Sequence, residues 1–194
     1  MTGLQFDEAT HIYRLDGEVL PSVTTLMQQL SSAEYKAIPQ AVLAKAADRG
    51  TAVHAAIESY LKYGINISDE ESGGYMDAFS KWFEKYKPTD ISSEIRLYHK
   101  ILHYAGTADM VCTIDGVQTV VDFKTTSKLM PKLVCVQLEA YKQALLSHEI
   151  DVKSKRVLQL KKDGTWEEQI FPDNDPTSWR VFNALLTTYR YITE

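Results

Sequence analysis

Cysteine is scarce in this chain of 194 residues, and the shortage excludes several classes. Cys112 and Cys135 are the only two, too few for an iron–sulfur cluster held by the cysteines of one chain. Cys112 shares a strand face with Met110 and Ile114, which makes it a core thiol, and a reducing compartment fits both. No apolar run approaches the length of a transmembrane helix, so no membrane span is expected. The first residues lack a basic stretch followed by an apolar one, which points away from secretion and towards the cytoplasm. Positive charge is not in surplus either: the net charge is −5. That total does not advertise a nucleic-acid partner, although carboxylates that hold metal enter the same sum and local distribution matters more. Five basic residues and no acid fall between Lys153 and Lys162. Repeats, low-complexity tracts and linkers are also missing, so residues 1–194 read as one domain.

What the chain does have is concentrated between Gly106 and Lys124, GTADMVCTIDGVQTVVDFK. Asp115-Gly116 is a two-residue hairpin signal, because a type I′ turn needs φ > 0 at both positions. The flanks are β-branched, which predicts two antiparallel strands. With Ile114 opposite Val117, counting outward sets Asp109 opposite Asp122. Opposed residues share a face, with Cβ atoms roughly 4.5–5.5 Å apart. Two like charges there repel, and a divalent cation between them turns that cost into a site. Lys124 projects from the same face as Asp122. Two carboxylates and an ammonium on one sheet surface suit Mg²⁺ or Mn²⁺. The strand is apolar on both sides, with Val121 and Phe123 pointing opposite to Asp122, so it is expected to be buried. Charged groups in such a strand imply a task.

In chain order, residues 6–20 predict a hairpin turning at Asp16-Gly17, and Ser22 caps a short helix to about Leu30. A helix follows from Pro39 to Tyr63, with Gly64 as its stop and Gly50 as a point of breakage. Gly50, His54 and Glu58 share a face, and the glycine would let the helix approach another element closely. With the carboxylate pair downstream, His54 is read as a metal ligand; Glu58 either orients it or is solvated. Tyr75 to Tyr86 is an aromatic-striped helix, read as core packing, within a region 65–88 expected at the periphery. Ile91–Tyr98 alternates as a strand, on which Glu94 either joins the site or pairs with Arg96. Pro131 opens a helix to about His148 that carries Gln137 and Tyr141 on one face. Lys128 and Lys132 are close enough in sequence to meet phosphates. A further Asp-Gly hairpin spans 155–171, and Asp175 caps a last helix with Pro176 at its first position. The whole predicts an α/β fold, a central mixed sheet flanked by helices.

The pieces Arg49-Gly50-Thr51-Ala52-Val53-His54, Gly106-Thr107-Ala108-Asp109, Val121-Asp122-Phe123-Lys124-Thr125, and Gln137 with Tyr141 occur in that order. Together they resemble the RecB-type branch of the PD-(D/E)XK nucleases. The opening segment from His11 to Thr24 looks like the lead-in of phage-encoded and mitochondrial-genome-maintenance-type exonucleases, so the resemblance covers about residues 11–170. It implies a restriction-endonuclease-like core, DNA as partner, and a recombination or replication protein as a further one. It implies that His54, Asp109 and Asp122 bind metal and that the Phe123 carbonyl adds a ligand. Lys124 would position or activate the attacking water. Gln137 and Tyr141 would support the site and hold DNA. Beside that resemblance, Glu94, Glu58, Thr125 and Lys128 are read from their positions as supporting or substrate-binding candidates. Two departures stand out. Asp122 occupies a position where many relatives have glutamate, and the cysteine set of the iron–sulfur relatives is missing. The implied activity is a metal-dependent exonuclease on single strands or duplex ends. The alternatives are a structure-specific or nicking endonuclease, or a non-catalytic DNA-binding domain.

Overall fold

The computed structural model describes residues 3–36 and 38–193. It is a mixed α/β fold with a five-stranded mixed sheet, a three-stranded antiparallel sheet and five helices. The small sheet comes first: β1 (Leu4–Asp7), β2 (Ile12–Leu15) and β3 (Glu18–Leu20). The expected hairpin is β2–β3, with Asp16 and Gly17 both at positive φ, and β1 adds a strand that the reading did not contain. Ser22 accepts a hydrogen bond from the Thr25 amide and caps α1 (Val23–Tyr35), which runs a turn beyond the expected end.

α2 (Gln40–Tyr63) is unbroken at Gly50 and ends at Gly64 in the left-handed region. A Cβ at Gly50 would meet only Thr125 Oγ1, at 3.9 Å, so the close approach expected there is not made. α3 (Gly73–Tyr86) follows, with both glycines inside its first turn. It corrects the expectation of a peripheral 65–88 region, because Met76, Phe79 and Trp82 are fully buried beneath the main sheet. Gly74 is what brings this helix so near. A Cβ there would lie 1.8 Å from the Lys162 carbonyl oxygen.

The main sheet has the order β4 (Thr89–Tyr98), β5 (Ala105–Ile114), β6 (Val117–Lys124), β7 (Ser154–Leu160), β8 (Trp166–Phe171). All neighbours are antiparallel except β6 and β7, which are parallel and joined through α4 (Pro131–Leu146). β5 and β6 turn at Asp115-Gly116 in the predicted register, Ile114 against Val117 and Met110 against Val121. α5 (Pro176–Thr193) closes the chain, with Asp175 accepting from the Ser178 amide at 3.0 Å.

Helices cover both faces. α1, α4 and α5 pack on one through Val23, Leu138, Tyr141 and Phe182; α2 and α3 pack on the other through Val53, Ile57 and Phe79. β7 is buried along its whole length, so its basic residues need partners inside the fold. Lys155 pairs with Glu139 of α4 on one face. Arg156 pairs at 3.3 Å with Glu168, which also accepts from Trp82 Nε1 and Tyr86 Oη of α3. Buried charges survive only when paired and hydrogen-bonded, as these are.

Candidate active site

The site forms where the main sheet ends and the helices on its two faces come together. The hairpin pairing runs outward from Ile114–Val117 to Met110–Val121, and Asp109 and Asp122 are the next residues on the two strands. Asp109 Oδ2 accepts from the Phe123 amide at 2.7 Å, so this carboxylate also ties off the strand end. Asp122 is almost wholly buried. Lys124 Nζ lies 2.9 Å from its Oδ1 and 2.8 Å from its Oδ2. Burial drives the Asp122 carboxyl upward, Lys124 opposes this, and Asp109 adds to it; the pKa stands at about 6.

His54 comes from α2. Its Nε2 donates to the Phe123 carbonyl at 3.1 Å, which turns Nδ1 towards the acids. Nδ1 is 3.6 Å from Asp109 Oδ1 and 3.9 Å from Glu94 Oε1. Burial lowers the imidazole pKa, but Asp109, Glu94 and Asp122 outweigh it and raise the group to about 9. From α4, Gln137 Oε1 faces Lys124 Nζ at 3.4 Å, and Gln137 Nε2 donates to Tyr141 Oη at 3.1 Å. Burial raises the Tyr141 phenol well above its usual range, and the nearby Asp109 carboxylate adds to that, so it stays neutral. Gly106 makes room for this ring, since a Cβ there would stand 2.8 Å from Tyr141 Cε1.

These groups line a cleft of about 480 Å³. The small sheet and its first turn add Phe6, His11 and Tyr13 to the lining. Tyr13 Oη lies 2.7 Å from Thr107 Oγ1, and the Phe6 and His11 rings meet edge to face at 5.6 Å. Periodicity gave no hint of this aromatic ledge, because it depends on where the small sheet docks. Ala105 fixes that docking by donating to the Pro21 carbonyl at 3.0 Å.

His54, Glu94, Asp109, Asp122, Lys124, Gln137 and Tyr141 therefore converge in one cleft. Glu94 belongs to the acid cluster rather than to a pair with Arg96, which bonds Glu8 at 2.7 Å. It sits at φ 49, a kink that side-chain alternation could not reveal. Glu58 reaches the cleft wall but is bonded to Lys62, so it does not orient His54; the Phe123 carbonyl does. Thr125 and Lys128 lie outside this cleft and line a neighbouring one. The Phe123 carbonyl already accepts from His54, and its second lone pair is what a ligand role would use.

The donor set fits a divalent cation. Ligand atoms of His54, Glu94 and Asp109 lie within 4.8 Å of one another. Asp122 is not part of this triad; it lines the same cleft, and its buried Oδ2 lies 2.8 Å from Lys124 Nζ. Carboxylate oxygens with one imidazole suit Mg²⁺ or Mn²⁺.

No protein-family model matches this chain, and no curated protein matches it. Among solved structures, that of SSO0001 aligns over 90% of this chain and 79% of its own length, at 18% identity and a TM-score of 0.44.

Proposed function

We propose that this chain is a Mg²⁺- or Mn²⁺-dependent deoxyribonuclease with a restriction-endonuclease-like core, of the RecB-type branch. It hydrolyses phosphodiester bonds of single-stranded DNA or duplex ends in recombination, repair or phage replication. The observation that carries this reading is the meeting of His54, Glu94, Asp109 and Asp122 with Lys124 in one cleft. Phosphodiester hydrolysis needs a nucleophilic water and compensation for charge gathering on the phosphate. His54, Glu94, Asp109 and Asp122 would hold the ion, with the Phe123 carbonyl beside them. A divalent ion bound there lowers the pKa of a water and polarises a phosphoryl oxygen.

The chain's own groups do the rest. Lys124 presents a positive charge where negative charge develops. Asp122 and Gln137 hold that ammonium from two sides, and Tyr141 fixes Gln137 in turn. The Phe123 carbonyl fixes the orientation of His54, a task usually given to a group behind the ligand.

The test is digestion of a panel of linear single-stranded, linear duplex, closed circular and RNA substrates, each with Mg²⁺, Mn²⁺ or chelator. Linear DNA should be degraded from its ends only when metal is present. Equal attack on closed circles would make it an endonuclease. Full cleavage by Lys124→Ala would mean that the chemistry lies elsewhere.

A further inference from the structure

We propose that a second cleft, next to the first, binds the phosphodiester backbone of the strand flanking the linkage that is cut; this rests on the nuclease reading. The cleft, about 770 Å³, lies between the first half of α2, the segment after β6 and the β7–β8 turn. Its walls carry Lys45, Arg49, Lys128, Lys161 and Lys162, and among the described residues no Asp or Glu lines it. Two of these cations are answered from outside, at exposed surface: Lys45 lies 3.9 Å from Glu71, and Lys161 bonds Glu167. Among the described residues, Arg49, Lys128 and Lys162 have no carboxylate partner. The concentration of one charge is local, in a chain whose net charge is −5.

Arg49 is the most pointed of the group. One guanidinium nitrogen donates to the Thr125 carbonyl at 3.3 Å, and the group stands 5.7 Å from the centre of the Tyr75 ring. Its Nε is buried and, among the described residues, has no hydrogen-bond partner. The carbonyl and the ring hold the guanidinium in the cleft wall, where its positive charge and planar edge suit an oxyanion.

The two clefts share their walls. α2 gives Arg49 to one and Gly50, Thr51 and His54 to the other, while Lys124 lines the first and Thr125 to Lys128 line the second. Arg49 and His54 are separated along the helix by about 7.5 Å of rise. That is about two nucleotide steps at the ~3.4 Å rise of one strand. Ile38, Val42 and Met130 add apolar wall, which sugars and bases of any sequence can touch. A continuous strand thus meets phosphate-binding cations on one side of the reacting groups, and sequence-tolerant contact beside them.

Binding is to be read without metal. A labelled single-stranded oligonucleotide is titrated in EDTA with the wild type and with the Lys128→Ala/Lys162→Ala variant, across a range of salt. Both lysines are exposed, so the melting temperature should not move. The expected result is weaker binding by the variant and a log–log salt slope shallower by about 0.7 for each cation removed. Excess inorganic phosphate should compete poorly with a strand. No binding by the wild type, equal affinity and slope in the variant, or full displacement by inorganic phosphate would overturn the proposal. No digestion with either metal, alongside lysine-dependent binding in EDTA, would defeat the nuclease reading and leave the strand site standing.

Discussion

Asp122 is held between two opposing demands. Burial favours its neutral form, whereas Lys124 favours the carboxylate, and the group settles at about 6. On the nuclease reading proposed above, that buried charge serves the chemistry rather than the fold. Asp122→Asn should therefore fold, and in chelator it should melt no lower than the wild type, while cleavage falls by about 10²-fold or more. A fall in melting temperature would mean that Asp122 serves the fold. Asp175 shows the reverse behaviour. Hydrogen bonds from the Cys135 thiol and from the Ser178 side chain and amide hold its carboxyl below the usual range. A depressed carboxyl stabilises the fold above its unfolded pKa of 3.8, and that gain is lost as pH falls through the folded value. Asp175→Ala should cost about 1 kcal/mol at pH 7, as loss of a helix cap does. In urea unfolding, the gap from the wild type should narrow as the pH is taken below the unfolded value.

Helices and strands show most clearly where side-chain pattern ends and tertiary placement begins. Lys155 and Glu139 are buried together between β7 and α4. Lys155→Ala should cost about 3–5 kcal/mol, because it strands a buried acid. The double variant Lys155→Met/Glu139→Leu should recover most of that in urea unfolding, since an apolar pair replaces an ionic one. Gly106→Ala should cost about 1–3 kcal/mol by crowding Tyr141, whereas Gly50→Ala, with room for the methyl inside a helix, should stabilise by about 0.5–1 kcal/mol. The β5–β6 register was legible because a two-residue turn fixes which residues face each other, and the two aspartates followed from it. The same dipeptide at Asp163-Gly164 acts differently: Lys161 bonds Thr165 across a longer loop, and only the glycine has positive φ. The stripe of α3 showed that it packs, but an amphipathic pattern does not say against what. The partners of Lys155 and Arg156 were not legible, because charge in sequence carries no record of what it pairs with. Glu94 was ambiguous for a related reason, since its backbone kink breaks the alternation used to assign faces.

For the whole molecule, metal binding and stability should be linked. If the acids and His54 hold a cation, Mn²⁺ at about 100 times its Kd should add about 2.7 kcal/mol to the stability of the wild type. For a chain of this size that is a rise in melting temperature of about 2–4 °C per kcal/mol. Asp122→Asn should show much less, and equal shifts in both proteins would place the cation elsewhere. The cleft itself has one jaw on each side of the sheet. His54 arrives with α2, while Gln137 and Tyr141 arrive with α4. Slight slackening between those layers would part the imidazole from the ammonium's supports long before any strand came undone. On the nuclease reading proposed above, cleavage is thus a more sensitive gauge of how tightly the helices grip the sheet than circular dichroism is, and on heating it should fade several degrees before the protein melts.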